Sequence, residues 1–374
     1  MLDPLRRRDS LLARTHRGTA ERGEGVRIYV VGHAEVERLF PMERAIEVMA
    51  SVLALRTRGG TFAPLRQVTW LPDGRGAVAW MPADIPGQEA LGGKILTVYP
   101  QNSRTPYESH QGVVLLFDRM YGRLLAVLDA SAVTAVRTAA VSAVATKVLA
   151  REDASTVTVV GTGTQARLHA IAMCAVRPVR EIRVWGRSPE RARRLSAELV
   201  ASPAFAPASG IQEARTVSVW VDLRKAVRDA DIVCTATSSR SPIVKGAWLA
   251  PGTHVNAVGA AVPGFREWDC EAVGRARVYM DARESALAEA DEIRSALAEG
   301  WIGLGHLVGE LGEVLTGRVP ARQNAEEVTF FKSLGLAVED LATAESIYRR
   351  VLEEPESSVP LVEFAATRNG GSDR

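Results

Sequence analysis

The sequence predicts an α/β fold built on a parallel sheet, and three observations predict it. From residue 155 onward, short apolar strands alternate with helices about a dozen residues long, the pattern of parallel strands joined by right-handed crossovers. At the first of these steps a glycine turn, Gly161-Thr162-Gly163-Thr164-Gln165-Ala166, sits between a strand and a helix. The chain is 374 residues long, enough for two domains. Its first part, residues 62–130, is strand-rich with turn signals at Pro72-Asp73-Gly74 and Pro86-Gly87.

The elements follow in order. IYVV (28–31) reads as a strand, and PMERAIEVMASVLALRTRGG (41–60) as an amphipathic helix stopped by glycines. GVVLLFD and GRLLAVLD read as two strands joined through Arg119–Gly122, and residues 134–150 as an Ala-rich helix. TVTVV (156–160) reads as a buried strand and 164–176 as the helix after the glycine turn. EIRVW (181–185), a helix over 189–201, TVSVW (216–220), a short helix near 222–229 and DIVCTAT (231–237) continue the alternation. HVNAVG (254–259) and RVYMD (277–281) complete the strands, with helices predicted over 284–299 and 335–354.

Composition excludes several classes of function. Charged residues make up 24% and the net charge is +2, so neither a strongly basic nucleic-acid binder nor an acidic disordered chain is expected. Residues 1–27 hold seven arginines against four acids, a net +3, and the remainder carries −1. The basicity belongs to an Arg-rich leader without periodicity, expected to be disordered. No run of about 18 apolar residues suggests a membrane span. Three cysteines at long spacings (174, 234 and 270) give neither a disulfide framework nor a zinc pattern, and no histidine pairing suggests a metal. A reducing, cytoplasmic home is the simplest expectation.

The glycine turn carries the first chemistry. Gly161 makes the tight turn, Gly163 lets the backbone approach a pyrophosphate, and Ala166 lets helix and strand pack closely. The phosphates then lie at the positive end of the helix. About 20 residues on, where a carboxylate would hold a ribose 2′-hydroxyl, the chain reads Gly186-Arg187-Ser188. An arginine there suits a 2′-phosphate. NADPH/NADP is therefore the expected cofactor, with NADH/NAD possible.

Further stretches complete a family pattern: Leu91-Gly92-Gly93-Lys94-Ile95, Arg137-Thr138-Ala139-Ala140, Asn256-Ala257-Val258-Gly259, Gly309-Glu310-Leu311-Gly312-Glu313-Val314 and Phe331-Lys332-Ser333-Leu334-Gly335. With the glycine turn, they run in order from about residue 60 to 350. The chain resembles the ornithine cyclodeaminase/mu-crystallin family. That resemblance implies a homodimer whose Rossmann-type dinucleotide-binding domain (134–304) is inserted into a second α+β substrate/dimerisation domain (28–133 and 305–358). Residues 1–27 and 359–374 are left as flexible tails. It also implies that Arg66, Lys94 and Arg137 hold the carboxylate of a small α-imino or α-amino acid.

The residues themselves agree about Lys94. Only five of the 46 basic residues are lysine, and this one sits in the apolar context LGGKILTVY rather than on a charged face. A lysine can release a proton when its pKa falls, whereas arginine cannot. A snorkelling lysine at a domain edge is the bland alternative. Further expected cofactor contacts are Thr237 and Ser238, Val258 and Gly259, Thr138 and Ser333. Trp80, His110 and Ala261 are expected near the substrate.

The sequence departs from ornithine-cyclising members at two places. Where they carry an acid after the N-A-V-G strand, this chain has Ala261. Where they carry a Glu before a Met-Pro pair, it has Ala79. A buried ammonium without a carboxylate is costly, so a less charged, cyclic or apolar side chain is expected. The leading expectation is an NAD(P)H-dependent reductase of cyclic ketimines such as pyrroline- or piperideine-2-carboxylate. An amino acid cyclodeaminase or L-amino acid dehydrogenase, and a non-catalytic cofactor and small-ligand binding protein, are the alternatives.

Overall fold

Two sheets divide the chain, and one long helix packs between them. The computed structural model describes residues 26–205, 215–354 and 358–365; the expected leader, up to residue 25, lies outside them. The chain opens with β1 (Val26–Val31), α1 (His33–Leu39) and α2 (Met42–Thr57). β2 (Gln67–Trp70), β3 (Ala77–Ile85), β4 (Ala90–Val98), β5 (His110–Asp118) and β6 (Leu124–Asp129) follow. These form a seven-stranded sheet in the order β15-β1-β6-β5-β4-β3-β2, where β15 is Leu361–Ala365. The segment 359–374, expected as a flexible tail, thus contributes an edge strand, antiparallel to β1. Val362 and Phe364, apolar and two residues apart with Glu363 between them, have the period a strand needs.

α3 (Ala130–Leu149) starts four residues earlier than the expected helix, because Asp129 caps it by accepting from Ala132 N at 2.6 Å. By length and composition it could cross a bilayer, but most of it is buried inside the protein. Its many alanines let α2, α4 and α11 approach it closely.

The second sheet is parallel throughout. It takes β7 (Thr156–Val160), α4 (Thr164–Val176), β8 (Glu181–Trp185), α5 (Pro189–Ala201), β9 (Thr216–Val219), α6 (Leu223–Val227), β10 (Ile232–Thr235) and β11 (His254–Ala257). α7 (Cys270–Arg275), β12 (Arg277–Met280), α8 (Arg283–Glu289), α9 (Asp291–Ala298), β13 (Leu307–Glu310), α10 (Leu311–Leu315), β14 (Thr329–Lys332) and α11 (Ala337–Glu353) complete it. The order is β13-β12-β14-β11-β10-β7-β8-β9.

This corrects the expected boundary at 304. β13 and β14 belong to the parallel sheet, and β14 sits between β11 and β12. The chain leaves that sheet only after Lys332. Only the five-residue α10 and a loop precede TFFK, too little to announce a parallel strand, so its membership shows only in the pairing. The single helix expected over 284–299 is two, broken at Ala290.

Candidate active site

β4 positions the central cation. In the antiparallel register Lys94 lies opposite Met81 on β3 and Val114 on β5, so all three share one face. α11 packs across that face. It brings Asp340 to 2.9 Å from the Lys94 ammonium, which also donates to Thr134 Oγ1 at 3.0 Å. Arg137, from the middle of α3, reaches the same carboxylate through Nε at 3.0 Å and Glu339 through Nη1 at 2.8 Å. Lys94, Arg137, Glu339 and Asp340 are all buried. Arg66 comes from the loop before β2. Its Nε pairs with Glu289 at 3.0 Å, and its Nη2 donates to the carbonyls of Leu334 and Gly335 at 2.7 and 3.1 Å.

Electrostatics follow from this packing. Burial pushes the Lys94 ammonium down to about 8; Asp340 opposes that, while Arg137 and Arg66 add to it. Burial pushes the Glu339 carboxyl up to about 7, partly offset by Arg137. Burial also pushes at Asp340, but Arg137 and Lys94 outweigh it and hold that carboxyl below its ordinary value. The Nη2 of Arg137 and Nη1 of Arg66 carry no hydrogen bond among the described residues, which leaves one fork arm of each for an incoming carboxylate. A cleft lined by Arg66, Met81, Ala282, Ser285 and Gly335 opens beside this cluster.

The loop after β14 is held from two sides. Asp281 accepts from the N–H groups of both Leu334 and Gly335 at 2.6 Å, while Arg66 takes the same residues' carbonyls. Gly335 is left-handed (φ +82°), and a Cβ there would run into the Arg137 guanidinium. Sequence reasoning found the three cations but neither the three acids that pair with them, Glu289, Glu339 and Asp340, nor Asp281, which holds the adjoining loop. The signal was present: Glu339-Asp340 interrupts the apolar face of a helix that is otherwise buried at its start.

The second half of the site lies at the C-terminal edge of the parallel sheet. Val160, Thr235, Ala257 and Lys332 are in register across β7, β10, β11 and β14. Gly161, Thr237, Val258, Gly259 and Ser333 therefore leave the sheet along one edge, where ligands of open parallel sheets bind. Gly161 has φ +135° and no room for a Cβ against Ala236 O. Ala166 is fully buried between helix and strand. Gly163 is the N-cap of α4, without a side-chain cap and with open space where a Cβ would point. The first N–H groups of a 13-residue helix thus lack side-chain acceptors, and the turn fits a dinucleotide pyrophosphate.

Around the adenosine end the expectations divide. Gly186 lies against Thr162. Arg187 is exposed and forms no ion pair among the described residues. Ser188, expected to join it, is committed elsewhere: it caps α5 by accepting from Arg191 N and donates to Glu190 at 2.8 Å. Ser238 is exposed, and Thr138 and Ser333 are buried.

Two contacts join the halves. Thr134 accepts from Lys94 through its hydroxyl and from Gln165 of α4 through its carbonyl, at 3.4 Å. Ser333 and Gly335 adjoin on one loop, the first at the sheet edge and the second against Arg137.

The three expected substrate neighbours fare differently. Trp80 stands opposite Ile95, on the face turned away from Lys94; its neighbours Ala79 and Met81 take the inner face, because strand side chains alternate. His110 lies on the Lys94 face of β5. Much of the residue is open to solvent, but protein atoms crowd its ring and, with the Lys94 charge, hold its pKa below the ordinary value. Ala261 packs against the apolar cluster beneath the parallel sheet. The acids near Lys94 are all engaged: Asp340 and Glu339 by cations, Glu289 by Arg66, and Asp281 by backbone N–H groups.

The comparisons with known proteins agree with this geometry. The sequence profile of the ornithine cyclodeaminase/mu-crystallin family matches residues 28–355. Ketimine reductase mu-crystallin of Mus musculus is 39% identical over 290 residues, 78% of this chain and 85% of that protein. A Delta(1)-pyrroline-2-carboxylate reductase of Bacillus cereus is 36% identical over 328 residues, 87% of this chain and 97% of that protein. The solved structure of the Thermococcus litoralis Delta(1)-pyrroline-2-carboxylate reductase, in complex with NADH and L-proline, superposes with a TM-score of 0.82. It is 34% identical and covers 87% of this chain and 98% of that one.

Proposed function

Because the chain belongs to the ornithine cyclodeaminase/mu-crystallin family, we propose that it is an NAD(P)H-dependent reductase of small α-imino acids, cyclic ketimines such as pyrroline- or piperideine-2-carboxylate. One observation carries this reading. A buried lysine with its pKa near 8 and two arginines with free fork arms adjoin a dinucleotide turn, linked to it through Thr134.

A bound nicotinamide cofactor supplies the hydride for the C=N carbon. The protein does the rest. Arg66 and Arg137 take the substrate carboxylate and fix its orientation, which removes rotational freedom before reaction. Lys94 is protonated at neutral pH and close enough to its pKa to give a proton to the substrate nitrogen. Asp340 holds the Lys94 ammonium in place and draws Arg137 to the same point. Gly161, Thr162, Gly163, Thr164, Gln165 and Ala166 would hold the pyrophosphate, with Arg187 at the 2′-phosphate of NADPH.

The absence of an acid at Ala79 and Ala261, with the nearby acids already engaged, disfavours a diamino acid and hence ornithine cyclisation. The protein is further proposed to be a homodimer. The outer face of the seven-stranded sheet presents Val78, Trp80, Leu91 and Ile95, the first and last about 40% exposed, an apolar patch of the kind that marks an interface. The three buried, unpaired cysteines suit a reducing compartment. Steady-state rates with NADPH and NADH across cyclic imino acids, with L-ornithine plus NAD⁺ as control, test the assignment. Ornithine cyclisation would overturn it, and cofactor binding without turnover on any imino acid would favour a ligand-binding role.

A further inference from the structure

Two of the expected cofactor contacts, Thr237 and Gly259, lie on different loops, one after β10 and one after β11. A single carboxylate binds both. Glu267 accepts from Thr237 N at 2.6 Å through Oε1 and from Gly259 N at 2.9 Å through Oε2. Oε2 also accepts from the Thr235 hydroxyl at 2.8 Å, and the Trp268 indole donates to that hydroxyl at 2.9 Å. The loops touch: a Cβ on Gly259 would run into the backbone of Thr237.

Glu267 is wholly buried, so its charge needs an answer. Glu292 accepts from the Glu267 backbone N–H at 3.1 Å, and Lys332, at the end of β14, lies 3.2 Å from Glu292. Burial pushes the Glu267 carboxyl up, and the Lys332 charge opposes that rise. Lys332 and Glu292 are also fully buried. Lys332 is one of only five lysines in the chain, and nothing in the reduction proposed above uses it.

We propose that Glu267, with Lys332 compensating its charge, is a positioning residue for the cofactor: it fixes the loops after β10 and β11 in the spacing that a bound dinucleotide requires. The chemistry needs a carboxylate. Two backbone N–H groups converge on one side chain, and only a group that accepts at both oxygens satisfies both. An amide in its place turns an N–H₂ toward one of the two donors and releases that loop. The proposal rests on the reading of this sheet edge as the dinucleotide site.

The test uses the full chain. Nucleotide fluorescence gives the dissociation constants of NADPH and NADH, thermal melts report folding, and imino acid KM and kcat are measured at saturating cofactor. Glu267→Gln is expected to weaken cofactor binding about tenfold, with the imino acid KM within about twofold of the parent. Glu267→Asp keeps the charge opposite Lys332 but withdraws from both loops, and is expected to weaken cofactor binding similarly; it serves if the Gln variant does not fold. A role in folding alone would lower the melting temperature and leave the dissociation constant of the folded protein unchanged. A cooperatively folded variant that binds cofactor like the parent overturns the proposal. A parent protein that binds neither nucleotide overturns the dinucleotide reading and this proposal with it.

Discussion

The Asp340 carboxylate lies 2.9 Å from the Lys94 ammonium, and both groups are sealed from solvent. The same carboxylate holds Arg137 at 3.0 Å. One acid on α11 therefore fixes cations from β4 and α3, although the three residues are far apart in sequence. Burial and neighbouring arginines drive the Lys94 proton off; Asp340 keeps it on.

Replacing Lys94 with Met removes the proposed proton donor and is expected to lower kcat by about 10²-fold or more. Cofactor affinity, set at the other end of the site, should hold. Near-normal turnover with a panel of cyclic imino acids would show that Lys94 is not the acid.

Asp340→Asn removes the charge that opposes burial, so the Lys94 pKa falls below about 8. The protonated fraction is then lost at lower pH. The alkaline limb of kcat/KM should move toward acid by at least about one unit. A pH–rate profile superimposable on that of the parent would contradict the coupling. Leaving Lys94 and Arg137 short of a partner also costs about 3–5 kcal/mol of stability, measurable by urea unfolding.

Gly335→Ala places a methyl group against the Arg137 guanidinium at a left-handed position. The arginine must give way, and the imino acid KM should rise about tenfold or more. Cofactor dissociation constants, read by fluorescence, should change much less.

Arg187→Ala removes the exposed cation expected at the 2′-phosphate. A charge-assisted phosphate contact is worth about 1.5–3 kcal/mol, so the NADPH-over-NADH ratio of kcat/KM should drop about tenfold or more. An unchanged ratio would place 2′-phosphate selectivity elsewhere.

Two buried histidines are expected to contribute to acid stability. Burial pushes His254 down to about 3 and His169 down to about 4. The unfolded chain takes these protons below about 6.5 and the folded chain does not, so their contribution is present above that pH and is lost as pH falls toward 4. Each removes about 3 kcal/mol by pH 4. Glu339, held up near 7, acts oppositely between its ordinary value and 7. Comparison with a His254→Asn variant isolates one histidine: the variant's urea midpoint should fall less steeply between pH 6.5 and 4.

What was legible in the sequence was local. The turn at 161–166 needs a left-handed glycine at Gly161 and an alanine-sized residue at Ala166, and those requirements are written in adjacent residues. Lys94 stood out because an arginine-rich chain placed a lysine in an apolar strand. The misplaced boundary at 304 and the edge strand at 361–365 were not legible, because short strands are defined by partners more than 25 residues away. Trp80 was misplaced for a related reason: alternation assigns it to one face, but only pairing with Ile95 shows which face carries Lys94.

By itself the sequence determined an α/β chain with a dinucleotide turn and named the three cations of the site. The tertiary structure alone decided how they are used. Asp340, Glu339, Asp281 and Glu289 come from helices and strand ends distant in sequence, and burial makes their charges matter. A carboxylate in water would do little for Lys94; the same carboxylate in a site closed by α11 and β4 sets whether it holds its proton, because removing water leaves the two charges to answer each other.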